Sequence, residues 1–351
     1  MMRDVAIVAF AQTAHSRTSD ELSEVEMLMP VLHEVLDRTG LKTADLGFVC
    51  SGSSDYLAGR AFSFTMALDG VGAWPPVSES HVEMDGAWAL YEAWVKILTG
   101  EADTALVYAY GKSSPGELRD VLTRQLDPYY VAPLWPDSVA LAALQAQALI
   151  DAGATDERAL AGVAARSRTD AAANPYAQLS GPAPMGDYVV RPLRRGDCPP
   201  VSDGAAAVIL AAGDTARALC ARPAWIRGLD HRIEAHSLGV RDLTESPSTR
   251  LAAERAGAFA RPADTAELHA PFTSQEVVLR RALRLDDDVT VNPSGGALTA
   301  NPVMAAGLIR LGEAAARIHR GESDRALAHA TSGPCLQQNL VAVLEGEGHA
   351  A

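Results

Sequence analysis

The segment HVEMDGAWALYEAW, residues 81–94, sets two acids, Glu83 and Asp85, just before Gly86 and a helix-patterned run carrying Trp88, Leu90, Tyr91 and Trp94. Two roles are open to a carboxylate in that place. It can accept hydrogen bonds from the free N–H groups of a helix's first turn, where the helix dipole favours negative charge. Alternatively, if burial raises its pKa, it can serve as a general base near neutral pH. Asp85 reads first as a cap, while Glu83 is open to both roles. Tyr110, Tyr129 and Tyr130 carry phenols that could move a proton, although PYYVAPLWP reads equally well as a packed loop. NPSGG, with Gly295 and Gly296, is read as a tight turn. It lacks both the Lys-Ser/Thr of a phosphate loop and the GxGxxG spacing. Cys50, Cys198, Cys220 and Cys335 form no CxxC pair, so no metal site is expected, and reduced thiols in a cytoplasmic protein are the simplest reading.

These groups need a scaffold, and the patterning indicates an α/β one. DVAIVAF and DLGFVCSG read as strands around a helix over about 21–39. ALYEAWVKILTG reads as a helix, and DTALVYAYG and DGAAAVILAAG as strands. Between them, residues 113–200 read as a helical insertion lying over a sheet, built from PGELRDVL, SVALAALQAQALIDAG and DERALAGVAARSRTDAAANP. The net charge of −14 over 351 residues argues against nucleic acid or an anionic membrane as the main partner. No run of about eighteen apolar residues predicts a membrane span. The N-terminal MMRDVAIVAFAQ lacks the features of a signal peptide.

An internal repeat organises the chain. ILTGEADTALVYA, 97–109, aligns without gaps to IHRGESDRALAHA, 318–330. In both copies a helix ends, a glycine turns the chain and a strand follows. Two copies at long spacing indicate duplicated halves rather than a solenoid. The halves are expected at 1–215, with the insertion, and 216–351, with the junction within 217–225. Equivalent helix starts of such halves lie near one another, and a site can form between them.

Several segments together resemble the thiolase superfamily, specifically the sterol-carrier-type thiolases and bacterial lipid-transfer proteins. They are PLRRGDCPPVSDGAAAVIL (192–210), ELHAPFTSQE (267–276), NPSGGALTANP (292–302) and HATSGP (329–334). The resemblance implies a five-layered αβαβα fold whose two central helices start near Gly86 and Pro302, and a homodimer or a heterodimer with a thiolase-like paralogue. The departures concern the site. Counting back from Gly100, the family's nucleophilic Cys falls on Glu83. The His of its GHP motif becomes Asn301, allowing a one-residue gap, and the Cys of its last catalytic loop falls at about Ala330.

Without those groups, thiolysis is not the implied reaction. The resemblance implies instead an aldolase acting on a β-hydroxyacyl-CoA, such as a steroid side-chain thioester, with a small OB-fold and zinc-ribbon partner protein. A non-catalytic subunit and an acyl-CoA carrier are the alternatives. His269, in the place of the family's HDCF His, is the candidate to polarise a thioester oxygen or move a proton, unless it is a structural His bonded at a strand end. Glu83 is the candidate base and Asn301 a candidate amide donor. Ser332 and Gly333 are expected to offer backbone N–H groups to the thioester oxygen, opposite the Glu83 amide, with Asp85 and His329 nearby. His329 reads first as a strand residue equivalent to Tyr108. Arg194 and Arg195 are expected on a solvated face. No cofactor beyond the CoA of the substrate is implied.

Overall fold

The structure is a computed structural model describing residues 3–182 and 185–347. Residues 1–2, 183–184 and 348–351, at the expected start of the first half, in the insertion and at the end of the second half, lie outside the described residues. The first half runs β1 (Val5–Gln12), α1 (Glu24–Thr39), β2 (Phe48–Gly52), α2 (Asp55–Ala58), α3 (Ser63–Val71), β3 (Glu79–Val82), α4 (Gly86–Leu98) and β4 (Thr104–Lys112). The insertion holds α5 (Leu118–Arg124), α6 (Ser138–Asp151), α7 (Glu157–Asp170) and a ribbon of β5 (Tyr188–Val190) with β6 (Leu193–Arg194). Then come β7 (Asp203–Ala212), α8 (Gly213–Leu219), β8 (Ala224–Ile233), α9 (Pro247–Arg255), β9 (Thr265–Leu268), α10 (Thr273–Ala282), β10 (Thr290–Val291), α11 (Ala306–His319), β11 (Arg325–Ser332) and β12 (Gln338–Glu345).

The strand order is β10-β9-β11-β12-β8-β1-β7-β4-β2-β3. Read outward from the centre, β1-β7-β4-β2-β3 and β8-β12-β11-β9-β10 have the same senses: two antiparallel pairings, then two parallel ones. The two five-stranded halves of the sheet are joined by a short antiparallel ladder, in which Ala6 pairs with Trp225 and Ile7 with Ala224. This is the duplicated architecture that the repeat predicts. Gly100 and Gly321, the equivalent turn glycines, both take left-handed φ, +85° and +74°, where a side chain is strained.

Three apolar layers fill the spaces between five layers of secondary structure. The central one gathers Ala87, Leu90, Ala93 and Ile97 of α4 and Leu308, Leu311, Ala315 and Ile318 of α11 against one face of each sheet. The outer layers place α1 and α3 on the first sheet, and α9 and α10 on the second. Strands covered on both faces read as continuous apolar runs, which is why β1 and β7 are buried throughout. The same cover explains why α4 is apolar nearly all round. The second central helix starts at Ala306 rather than Pro302, and Pro302–Ala305 form a turn before it. The insertion packs Val139, Ala142 and Ala146 of α6 and Leu160 of α7 around Phe272, at the start of α10, so it lies on the second half.

Candidate active site

Asp85 sits where the two central helices meet. Its Oδ1 accepts Ala87 N at 2.8 Å, capping α4, and Leu308 N at 3.0 Å. Its Oδ2 accepts Gly307 N at 2.8 Å. The residue before α11, Ala305, has no capping side chain, so Asp85 supplies that cap from the other half. A Cβ on Gly307 would lie 2.5 Å from Asp85 Oδ1 and 2.7 Å from Ala330 Cβ, so only glycine admits the contact. Burial pushes the Asp85 carboxyl up to about 6, against the pull of the three N–H groups and Arg310 toward the charged form.

Asp85 is thus the cap that the sequence suggests, and not a substrate-binding group. Asp85 is 2 % exposed and has both oxygens engaged, so it caps and offers nothing to a substrate. The first-turn N–H groups of Ala87, Gly307 and Leu308 are likewise occupied.

Glu83 stands apart from this junction. It is exposed, and its Oε1 accepts Asp55 N at 2.7 Å, holding the first turn of α2. The burial expected to tune it as a base is absent. Its Oε2 carries no hydrogen bond among the described residues.

His269 follows the last residue of β9. Its backbone N donates to His329 O at 3.1 Å. Its Nε2 lies 3.0 Å from Asn301 Oδ1, and Thr331 N donates to its Nδ1 at 3.4 Å. An Nδ1 that accepts leaves the proton on Nε2, so these partners assign the tautomer. Burial pushes the imidazole pKa down to about 3, although the Asn301 bond opposes it. The ring is therefore neutral at neutral pH and donates to Asn301. With Oδ1 held, the Asn301 amide Nδ2 is left without a hydrogen bond among the described residues. Ser202 Oγ fixes the Asn301 backbone by accepting its N–H at 2.9 Å.

A buried polar chain sets the position of His269. Asn292 Oδ1 accepts Leu268 N at 2.6 Å, and its Nδ2 donates to Glu276 Oε2 at 3.3 Å. Arg166 Nη2 donates to both Glu276 oxygens, at 2.7 and 2.6 Å. Beside it, Arg310 pairs with Glu267 at 2.9 Å, and Ser294 Oγ donates to the same carboxylate at 2.7 Å. Asn292 and Ser294 belong to NPSGG, so that segment is a hydrogen-bonded brace as well as a turn.

The remaining candidates separate. His329 is fully buried, and its Nε2 lies 2.9 Å from Asn339 Oδ1, which fits the strand-residue reading. Ser332 is half-buried at the end of β11, opposite Gln338, and Gly333 is exposed with φ +74°. Tyr129 and Tyr130 are 82% and 79% exposed. Arg194 donates to Tyr188 OH at 2.8 Å on the β5–β6 ribbon. The structure therefore brings together His269, Asn301 and the Thr331 end of the last loop. It does not place Glu83 in contact with them.

A cavity of about 180 Å³ lies at the carboxyl ends of β2 and β4. Ser54, Leu57, Ala58, Tyr110, Lys112, Leu118 and Val121 line it, and Val303 and Met304 close it from the loop that carries Asn301. Met304, at φ +80°, accepts Gly86 N at 2.8 Å, which joins this wall to the start of α4. Sequence reasoning named Tyr110 here but not Lys112 or Met304.

No family model matches the chain. Over 362 residues it is 26% identical to an acetyl-CoA acetyltransferase of Methanothermobacter thermautotrophicus, covering 92% of this chain and 93% of that protein. It is 32% identical to the 3-oxoadipyl-CoA/3-oxo-5,6-dehydrosuberyl-CoA thiolase of Escherichia coli K12 over 157 residues, 44% of this chain and 38% of that one. Among solved structures it superposes on an Ltp2-ChsH2(DUF35) aldolase with TM-score 0.79 at 18% identity, covering 98% of each chain. The Bacillus anthracis acetyl-CoA acetyltransferase gives TM-score 0.77 at 17% identity, over 98% of this chain and 99% of that one. The chain has the thiolase fold and is similar in sequence, along most of its length, to an acetyl-CoA acetyltransferase.

Proposed function

We propose that this protein acts on acyl-CoA thioesters and cleaves a β-hydroxyacyl-CoA by a retro-aldol reaction. The observation that carries the reading is the His269–Asn301 pair, 3.0 Å apart and buried, with the Asn301 amide N–H groups unengaged. A neutral imidazole that fixes Oδ1 aims those N–H donors at a developing negative charge, which is what a thioester enolate needs. No thiol nucleophile enters the reaction. Glu83, through Oε2, takes the proton of the β-hydroxyl. The O–H electron pair becomes a carbonyl π bond, and the Cα–Cβ bond breaks toward Cα. The proton held by Glu83 is returned, through solvent, to Cα of the enolate, giving an aldehyde or ketone and a shorter acyl-CoA and leaving Glu83 ionised again. The protein is placed in the cytoplasm, with a small partner protein, and the name of the Ltp2-ChsH2(DUF35) aldolase, which joins two components, supports that partnership.

A second reading is favoured by a specific observation. Asp85 occupies the helix-start donors with its own carboxylate, and Glu83 is exposed, as a non-catalytic subunit would tolerate. One experiment separates the two. The full chain, alone and with co-purifying partners, is incubated with a 3-hydroxyacyl-CoA panel, and products are read by mass spectrometry. Release that His269→Ala abolishes supports the aldolase. Release by the heteromer that His269→Ala leaves intact assigns this chain the subunit role.

A further inference from the structure

We infer that the cavity between β2, β4 and α5 is the acyl pocket and that it takes a short acyl group ending in a carboxylate. The inference rests on the acyl-CoA reading and narrows it away from the steroid side-chain thioester that the resemblance implies.

Three observations carry it. The first is position. Ligands of parallel α/β sheets bind beyond the carboxyl ends of the strands, and the cavity lies beyond β2 and β4. Val303 and Met304 on its wall directly follow Asn301 and Pro302, and Ser54 on its wall precedes Asp55, whose N–H holds Glu83. The loop that carries Asn301 and the segment that holds Glu83 thus both reach the cavity wall.

The second is size. The volume of about 180 Å³ is more than ten times the roughly 10–15 Å³ that one water needs by the same measure. It lies below the range of about 300–1,000 Å³ of pockets that hold drug-sized molecules. A short acyl end suits a space of that size.

The third is chemistry. One wall is apolar, from Leu57, Ala58, Leu118, Val121 and Val303, and suits methylene groups. Lys112, Tyr110 and Ser113 are polar residues of the same lining. Lys112 Nζ donates to the Leu22 carbonyl, and an ammonium has three N–H donors, so two remain. The other charged residue lining the cavity, Glu24, is neutralised by Arg60 at 2.5 Å. A terminal carboxylate meets a cation with donors to spare, whereas a terminal methyl leaves those donors desolvated and unpaired.

Binding of three thioesters to the full chain is measured by calorimetry: 3-hydroxyadipyl-CoA, 3-hydroxyhexanoyl-CoA of the same acyl length, and a steroid side-chain CoA ester. The first is expected to bind about tenfold more tightly than the second, a difference of about 1.4 kcal/mol. Lys112→Met should erase that preference, and Val121→Trp, filling the cavity from α5, should weaken both short esters. Equal binding of the two short esters, a preference that survives both variants, or tighter binding of the steroid ester overturns the inference. Products are read in parallel. Cleavage of 3-hydroxyadipyl-CoA breaks its Cα–Cβ bond and yields acetyl-CoA and 4-oxobutanoate. Selective binding with no such release upholds the pocket and overturns the aldolase reading alone. Failure of every CoA ester to bind overturns both.

Discussion

Asp85 Oδ2 lies 2.8 Å from Gly307 N, 222 positions further along the chain, and one carboxylate thereby caps the two central helices of a duplicated fold. The superposed positive ends of α4 and α11 supply the electrostatic reason for an acid at this point. Gly86 and Gly307, the first residues of the first helix and the second of the other, stand at the same offset as the repeated ILTG and IHRG segments. The duplication thus reaches upstream to the helix starts, and the acid is present in only one copy.

Asp85→Ala leaves the N–H groups of Ala87, Gly307 and Leu308 without an acceptor in a buried place. An unsatisfied buried donor costs about 1–3 kcal/mol, so a loss of about 3 kcal/mol or more is expected. Asp85→Asn keeps one acceptor oxygen and should lose about 1 kcal/mol. Urea unfolding checks both as a lowered midpoint at unchanged slope. An unshifted midpoint for the alanine variant would mean that the junction holds without the carboxylate.

The raised pKa of Asp85 makes a second, signed prediction. Between its ordinary 3.8 and about 6 the folded protein holds a proton that the unfolded chain has released. Stability owed to this group is therefore greatest below pH 4 and is lost as pH rises to 6. The two-unit span corresponds to about 3 kcal/mol. Wild type minus Asp85→Asn stability, measured from pH 4 to 7, should fall and then level off above pH 6. A flat difference would show that the three N–H groups outweigh burial.

How much of this was legible in the sequence follows from how local each feature is. The turn glycines of the repeat were, because left-handed turns need glycine in both copies. The upstream part of the repeat was not, because a helix covered on both sides accepts any apolar volume, and Trp88 in one copy corresponds to Ile309 in the other. The insertion showed its helices by apolar spacing, but its docking on Phe272 is a contact between distant segments that periodicity does not encode. Asp85 looked like an ordinary local cap. The signal for its second role was a helix start at Ala305–Ala306 with no capping residue, which has meaning only once that start is placed. His269 and Asn301 were named through family resemblance, and neither spacing nor composition pairs residues 32 positions apart. The exposure of Glu83 and its bond to Asp55 N were not legible, because alignment with a nucleophile's position says nothing about burial.

His269 and Asn301 form a unit, and their variants should behave as one. His269→Ala frees Asn301 Oδ1 from its donor, and Asn301→Ala removes the amide itself. Each should lower product release by about 10²–10³-fold. The double variant should be no slower than the worse single one, because the second change removes a group already misdirected. Multiplicative losses would show that the two side chains act separately. With the imidazole pKa near 3, His269 stays neutral above pH 5, so the pH profile of the wild type should show no limb near the ordinary histidine value of 6.5.

Glu83 provides the test between a carboxylate that takes a proton and one that ties a loop. Both roles use the same side chain, but they use different atoms. The bond to Asp55 N needs one acceptor oxygen, and Gln supplies it. Proton abstraction needs the charge, which Gln lacks. Glu83→Gln should therefore keep the unfolding midpoint of the wild type, while product release falls by about 10²-fold, the lower end of what loss of a general base costs. Glu83→Ala should lower both. Product release by Glu83→Gln within about threefold of wild type would restrict Glu83 to holding α2, since surface changes away from the chemistry have effects of that size. The retro-aldol step would then need a proton acceptor from elsewhere, with the Tyr110 phenol in the cavity wall as the next side chain to change.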